Sequence, residues 1–227
     1  MRQIPKKHMC YFNVLESFQK ATVCALCELE SRSVRRYLEN LLYEHVNDVG
    51  VRGDLVGSRG YCHRHAHLLL ECADGLGTAI LYEDQAKLFL EFLNGLRGLS
   101  CNELRKAVSE TWNRDALCPA CMIRAQSRDR YLGTLLGWLD DLPMQEAIAD
   151  SPGLCVPHLL RALRTCHDAK CREYLIATHV AKFTDLLNDL HEFMRKHDYR
   201  LSKGGFGKEA DSWRRVVTML VGMKDVF

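Results

Sequence analysis

Cys24-Ala25-Leu26-Cys27 followed by Gly60-Tyr61-Cys62-His63-Arg64-His65, and Cys118-Pro119-Ala120-Cys121 followed by Gly153-Leu154-Cys155-Val156-Pro157-His158, carry one pattern twice. Each copy reads C-x2-C, a spacer, then G-x-C-x2-H, with 35 positions from Cys27 to Cys62 and 34 from Cys121 to Cys155. The match extends beyond the cysteines. Arg36-Tyr37-Leu38 aligns with Arg130-Tyr131-Leu132, Leu41-Leu42 with Leu135-Leu136, Asn47-Asp48 with Asp140-Asp141, and Ser58 with Ser151. An offset of 93–94 residues holds throughout, which reads as an internal duplication.

The segments around the pattern are helical. Residues 28–43 contain neither Gly nor Pro and set Val34, Tyr37, Leu38, Leu41 and Leu42 on one face. Residues 122–139, free of Pro though they include Gly133 and Gly137, likewise set Tyr131, Leu132, Leu135, Leu136 and Leu139 on one face. Ser58 and Ser151-Pro152 read as stops before short helices that begin at the second ligand pair. Gly75 and Gly77 precede a long helix expected over 78–93, whose counterpart is the unbroken stretch 169–196. No strand is expected. The predicted fold is all-α: a helical bundle of a first module (1–97), a polar connector (98–116), a second module (117–200), and a loop with a C-terminal amphipathic helix (201–227). That last helix is expected over 209–223, with Trp213, Val216, Val217, Leu220 and Val221 forming a face that packs on the bundle or meets a partner.

Two cysteines at i and i+3 at a helix start can point at one centre, where the positive end of the helix favours thiolate. A second helix start carrying C-x2-H supplies the other two ligands. Within each copy this gives a Cys3His set, Cys24, Cys27, Cys62 and His65 in the first and Cys118, Cys121, Cys155 and His158 in the second. Such sets are typical of closed zinc sites, so two zinc ions per chain are expected, each tying its long helix to the short one about 35 residues later. An iron–sulfur cluster with one histidine ligand is the alternative cofactor.

Eleven cysteines in 227 residues need such a reason. A secreted disulfide framework is disfavoured by the odd count and by the start Met1-Arg2-Gln3-Ile4-Pro5-Lys6-Lys7, which no apolar h-region follows. Apolar runs such as Leu68-Leu69-Leu70 are too short to cross a membrane, and the expected location is the cytoplasm. The composition, 47% hydrophobic and 26% charged with a net charge of +2, is that of a globular protein without a bias toward nucleic acid or anionic lipid.

Other residues invite chemistry less strongly. His63 and His67 share a helical face and can form an extra site, but surface or capping roles explain them. Cys166 and Cys171 have no equivalent in the first copy and read as incidental, and Cys10, Cys72 and Cys101 as packing residues. Glu44, Asp48, Glu83 and Asp84 can do acid–base work, yet solvated faces or a salt bridge to Arg36 or Arg52 account for them. Arg32, Arg35 and Arg36 make a small basic face without interleaved aromatics, which reads as solvated surface. The run from Gly204 to Lys208 lacks the order of a phosphate-binding loop.

The order C-x2-C, Leu41-Leu42-Tyr43-Glu44-His45-Val46-Asn47-Asp48, G-Y-C-x2-H and Ala79-Ile80-Leu81-Tyr82 resembles a bacterial and archaeal family of unknown function. The second-copy cysteine phrases and Glu209-Ala210-Asp211-Ser212-Trp213-Arg214-Arg215 are similar to it too. The resemblance covers nearly the whole chain and implies no activity. Three functional readings follow: a non-catalytic zinc protein that serves as an interaction or regulatory module with a protein partner; an iron–sulfur protein for electron transfer or redox sensing; and a metal-dependent enzyme using the acidic residues. Four protein ligands leave zinc no open position, which favours the first over the third.

Overall fold

Amphipathic segments bounded by short polar caps become helices, and no strand occurs among the described residues. The computed structural model describes residues 7–112, 116–197, 205–224 and 226–227. The first six residues of the basic start, and Gly204 of the expected tail loop, lie outside them. In chain order the helices are α1 Met9–Lys20, α2 Ala25–Asn40, α3 Val49–Gly57, α4 His63–Glu71, α5 Gly75–Gly95, α6 Cys101–Thr111, α7 Pro119–Gly137, α8 Leu142–Asp150, α9 Val156–Thr165, α10 Ala169–His197 and α11 Ser212–Val221. A five-residue π-helical turn, Leu41–His45, prolongs α2.

Side-chain caps explain several boundaries. Asp48 accepts a hydrogen bond from the Val51 N–H at the start of α3, and Asp168 one from Cys171 N–H at the start of α10, each at 2.9 Å. Asp74 accepts from Gly77 N–H at 2.8 Å, so Gly75 and Gly77 lie inside α5 rather than ahead of it. A Cβ on Gly77 would stand 2.9 Å from Leu42 Cδ2, so the missing side chain permits a close approach.

Two further segments are defined more closely by the structure. The polar connector contains a helix of 11 residues, α6, started by a reciprocal capping box between Ser100 and Glu103. Helix α11 is shorter than the expected 209–223, and of the two outcomes left open for its apolar face the outward one is found. It buries Ser212 and Met219, whereas Trp213, Val217, Leu220 and Val221 are about half exposed. Arg215 fixes that rotation by reaching Asp189 of α10 at 3.0 Å.

The chain forms two compact units, drawn differently from the two sequence copies: one joins Met1–Ser31 to Ser127–Phe227, the other is Arg32–Gln126. In the first unit α1 packs on α8, and α9, α10 and α11 pack on one another. Its core runs from Tyr11, Val14 and Phe18 through Leu26, Cys27 and Leu29 to Leu135, Leu139, Met144, Ile148 and Leu154. In the second unit α3 and α4 pack on α5, and the core gathers Val34, Leu38, Leu41, Leu55, Tyr61, Leu69 and Leu81 around Cys118 and Ala120.

A polar clasp closes the α1–α8 contact. Tyr11 Oη donates to Asp141 Oδ2 at 2.5 Å, and Lys7 Nζ stands 2.9 Å from Asp141 Oδ1. Burial works against the Asp141 carboxylate, but the Tyr11 and Lys7 hydrogen bonds outweigh it and hold its pKa below the ordinary value. A depressed carboxylate contributes stability that is present above its unfolded pKa and lost as pH falls through the folded one. Tyr11→Phe is therefore expected to cost about 1 kcal/mol in urea unfolding at neutral pH, and the difference from wild type should shrink once Asp141 is protonated.

Candidate metal centres

All eight predicted ligands come together, but in exchanged pairs. Cys24 and Cys27 meet Cys155 and His158; Cys118 and Cys121 meet Cys62 and His65. Within each group the four donor atoms lie within 4.8 Å of one another. The expected grouping of each C-x2-C with the C-x2-H of its own copy is thus corrected: each group lies inside one compact unit and draws on both copies.

Chain geometry accounts for the exchange. Helix α2 has 16 residues and rises about 24 Å, whereas the returning helix α3 has nine and rises about 14 Å. Tyr61 and Cys62 consequently pack beside Val34, Leu38 and Leu41, on the later turns of α2, together with Cys118 and Ala120. Likewise α7 has 19 residues and α8 nine, and Leu154 and Cys155 pack with Leu135, Trp138 and Leu139 and with the first turn of α2.

The glycine of each G-x-C-x2-H phrase turns the chain into its ligands. Gly60 has φ +76° and Gly153 φ +85°, a region that L side chains rarely occupy. At Gly153 a Cβ would also stand 2.9 Å from Lys182 Cδ and 3.0 Å from His179 Nε2. Cys62 and Cys155 then serve as the N-cap residues of α4 and α9, so each histidine lies in the first turn, with its Nδ1 toward the sulfurs.

The distances describe one small cavity in each group. His158 Nδ1 is 3.4 Å from Cys24 Sγ, 3.5 Å from Cys27 Sγ and 3.2 Å from Cys155 Sγ, and Cys27 and Cys155 sulfurs are 3.6 Å apart. His65 Nδ1 is 3.3, 3.5 and 3.4 Å from the sulfurs of Cys62, Cys118 and Cys121, and Cys62 and Cys121 sulfurs are 3.7 Å apart. A tetrahedral ion with bonds of about 2.3 Å to sulfur and 2.0 Å to nitrogen sets sulfurs about 3.8 Å apart and sulfur and nitrogen about 3.5 Å apart. Both donor sets fit such an ion.

Electrostatics point the same way. Burial pushes the Cys24 thiol up, but hydrogen bonds to Cys155, Cys27 and His158 outweigh it and hold Cys24 well below the ordinary thiol value. Cys27 is raised, by the Cys155 and Cys24 thiols first and then by burial. In the other group burial again opposes ionisation of Cys62, yet the His65 N–H and the Cys121 and Cys118 thiols lower it. Burial and the charge of Cys118 push Cys121 up to about 12. Crowded thiols cannot all ionise unaided; a divalent cation removes that conflict.

One functional partner was not foreseen. Glu30, one turn beyond Cys27, is 1% exposed and its Oε1 lies 2.6 Å from His158 Nε2. When Nε2 donates its proton to that oxygen, the Nδ1 lone pair is left for a metal. A charged residue early in an amphipathic helix reads as surface, so only the tertiary fold reveals this role. His179 and Lys182 of α10 were also missed. Leu154 N–H donates to His179 Nε2 at 2.8 Å, and Lys182 Nζ donates to the Ala149 and Ser151 carbonyls, which together pin the loop that presents Cys155.

The remaining candidates have structural roles. His63 and His67 lie side by side on the outer face of α4, ring centroids 4.6 Å apart, and join neither group. Asp48 caps α3, Asp84 takes two hydrogen bonds from Arg52 at 2.7 Å, and Glu83 pairs with Lys87. Glu44 lies 3.8 Å from its neighbour His45. Arg35 pairs with Glu71. All eleven cysteines are free thiols.

The model of a family of unknown function, DUF6062, matches residues 5–226. The chain belongs to that family. It is also 26% identical over 216 residues, 92% of this chain and 99% of the other, to an uncharacterized 23.9 kDa protein in the xynA 3' region of Caldicellulosiruptor sp. (strain Rt8B.4). No solved structure matches it.

The exchanged pairing makes a count the test. Cys27→Ser with Cys155→Ser should lose one metal equivalent of two, while Cys27→Ser with Cys62→Ser should lose both; pairing within copies predicts the reverse. Glu30→Gln should weaken metal binding at the Cys24 group about 10–100-fold in chelator competition, leaving the Cys62 group unchanged.

Proposed function

We propose that this chain is a zinc protein whose two Cys3His centres are structural, and that it acts as a non-catalytic interaction or regulatory module for a protein partner. The observation that carries this reading is the set of sulfur–sulfur and sulfur–nitrogen distances, 3.2–3.7 Å, which suits a single tetrahedral ion held by four protein ligands. A polynuclear iron–sulfur cluster sets its own iron and sulfide atoms between the thiolates and needs the ligands farther apart. An enzyme built on the acidic residues is disfavoured because Asp48, Asp84 and Glu83 already cap or pair. An interaction role draws support from α11, whose outward Trp213, Val217, Leu220 and Val221 form an apolar strip. The two copies read as a duplicated module that exchanged its second ligand pairs.

Protein prepared anaerobically without added metal should contain about two zinc ions per chain and no visible absorption. Stripping them with a strong chelator should abolish cooperative unfolding followed by circular dichroism, because the binding free energy of such sites, on the order of 10–16 kcal/mol in small peptides, is largely folding free energy. Iron with stoichiometric sulfide would overturn the reading in favour of a redox protein.

A further inference from the structure

The two centres are chemically alike but differently enclosed. At the first, Cys27, Cys155 and His158 are 0% exposed and Cys24 2%. Residues following α11 lie over it: Val226 is 1% exposed, and the Phe227 ring meets the His158 ring edge-on with centroids 4.9 Å apart. A Cβ on Gly222 would stand 3.6 Å from Cys27 Sγ and 2.4 Å from the Phe227 ring, so this segment fits tightly against the ligands. At the second centre Cys118 and His65 are buried, but Cys62 and Cys121 are both partly open to solvent. Those two sulfurs are 3.7 Å apart, and Cys62 is the N-cap residue of α4. The residue one turn after Cys121 is Arg124, where the first centre has Glu30. Access selects which sulfurs an oxidant reaches, and a second sulfur close by resolves the first to a disulfide.

We propose that Cys62 and Cys121 form an oxidative modification site, at which a hydroperoxide joins the two thiolates in a disulfide and so discharges the metal from that centre alone. The Cys62 thiolate attacks the O–O bond; a sulfur–oxygen bond forms, and the leaving oxygen takes a proton to become alcohol, or water from hydrogen peroxide. The Cys121 thiolate then attacks the Cys62 sulfur, forming the disulfide and expelling hydroxide, which takes a second proton. Two thiolates lose two electrons in all, and one hydroperoxide is reduced. Only Cys118 and His65 remain as donors, too few to retain the ion. A thiol reductant with zinc reverses the step. Structurally, the Cys24 centre continues to hold its unit while the Cys62 centre opens the other.

This inference rests on the two-zinc reading, so zinc is counted first; fewer than two equivalents would be a failure of that reading. With two bound, hydrogen peroxide is added to the full chain in the presence of a zinc-binding dye. One equivalent should leave about tenfold faster than the other, and peptide mapping at that point should find a Cys62–Cys121 disulfide, with Cys24, Cys27 and Cys155 reduced. Cys121→Ser should retain one zinc and show no fast phase. Phe227→Ala should speed loss of the slow equivalent and leave the fast one unchanged. Equal release of both ions, fast release without that disulfide, or a slow phase indifferent to Phe227→Ala would overturn the proposal.

Discussion

Each centre is two helix beginnings turned toward one point. Cys24 and Cys27 stand at the start of α2 and face Cys155 and His158 at the start of α9; Cys118 and Cys121 at the start of α7 face Cys62 and His65 at the start of α4. Two positive helix ends repel unless negative charge lies between them, and thiolates supply it. Three thiolates would then repel one another, and a divalent cation would supply what they lack. The surrounding structure serves this arrangement. Gly60 and Gly153 turn the chain into the donor groups, His179 and Lys182 hold the loop before Cys155, and Glu30 holds the outer nitrogen of the His158 ring.

The exchange of ligand pairs decides how the protein divides. A centre built within one copy would make each sequence half a unit of its own. Built across copies, each centre needs chain from both, and the unit boundaries accordingly follow Ser31 and Gln126, inside α2 and α7. The cause is helix length rather than ligand chemistry: the short return through α3 or α8 brings the second pair to the later turns of the long helix, not to its beginning.

Sequence alone revealed the helical class and all eight residues that the fold gathers into two donor groups, because spacing of cysteine and histidine is a local property that survives without a structure. It did not reveal the pairing, since both copies offer chemically identical pairs and either assignment satisfies a tetrahedral ion. Ser100 and Glu103 had the spacing of a capping box, but the polar stretch around them lacks a broad apolar face, so α6 went unseen. For α11 the apolar positions were correctly placed on one side, yet the Arg215–Asp189 contact turns that side outward. Glu30 carried no sequence signal, because its meaning depends on a histidine 128 positions away.

The differing enclosure of the centres gives one chain a sealed anchor and an accessible one, a division that depends on the exchanged pairing. Cadmium-113 substitution with proton–cadmium correlation spectroscopy tests that pairing most directly, since each cadmium resonance couples only to the β-protons of its own cysteines. The account predicts one resonance coupled to Cys24, Cys27 and Cys155 and another coupled to Cys62, Cys118 and Cys121. A resonance coupled to Cys24, Cys27 and Cys62 would contradict it.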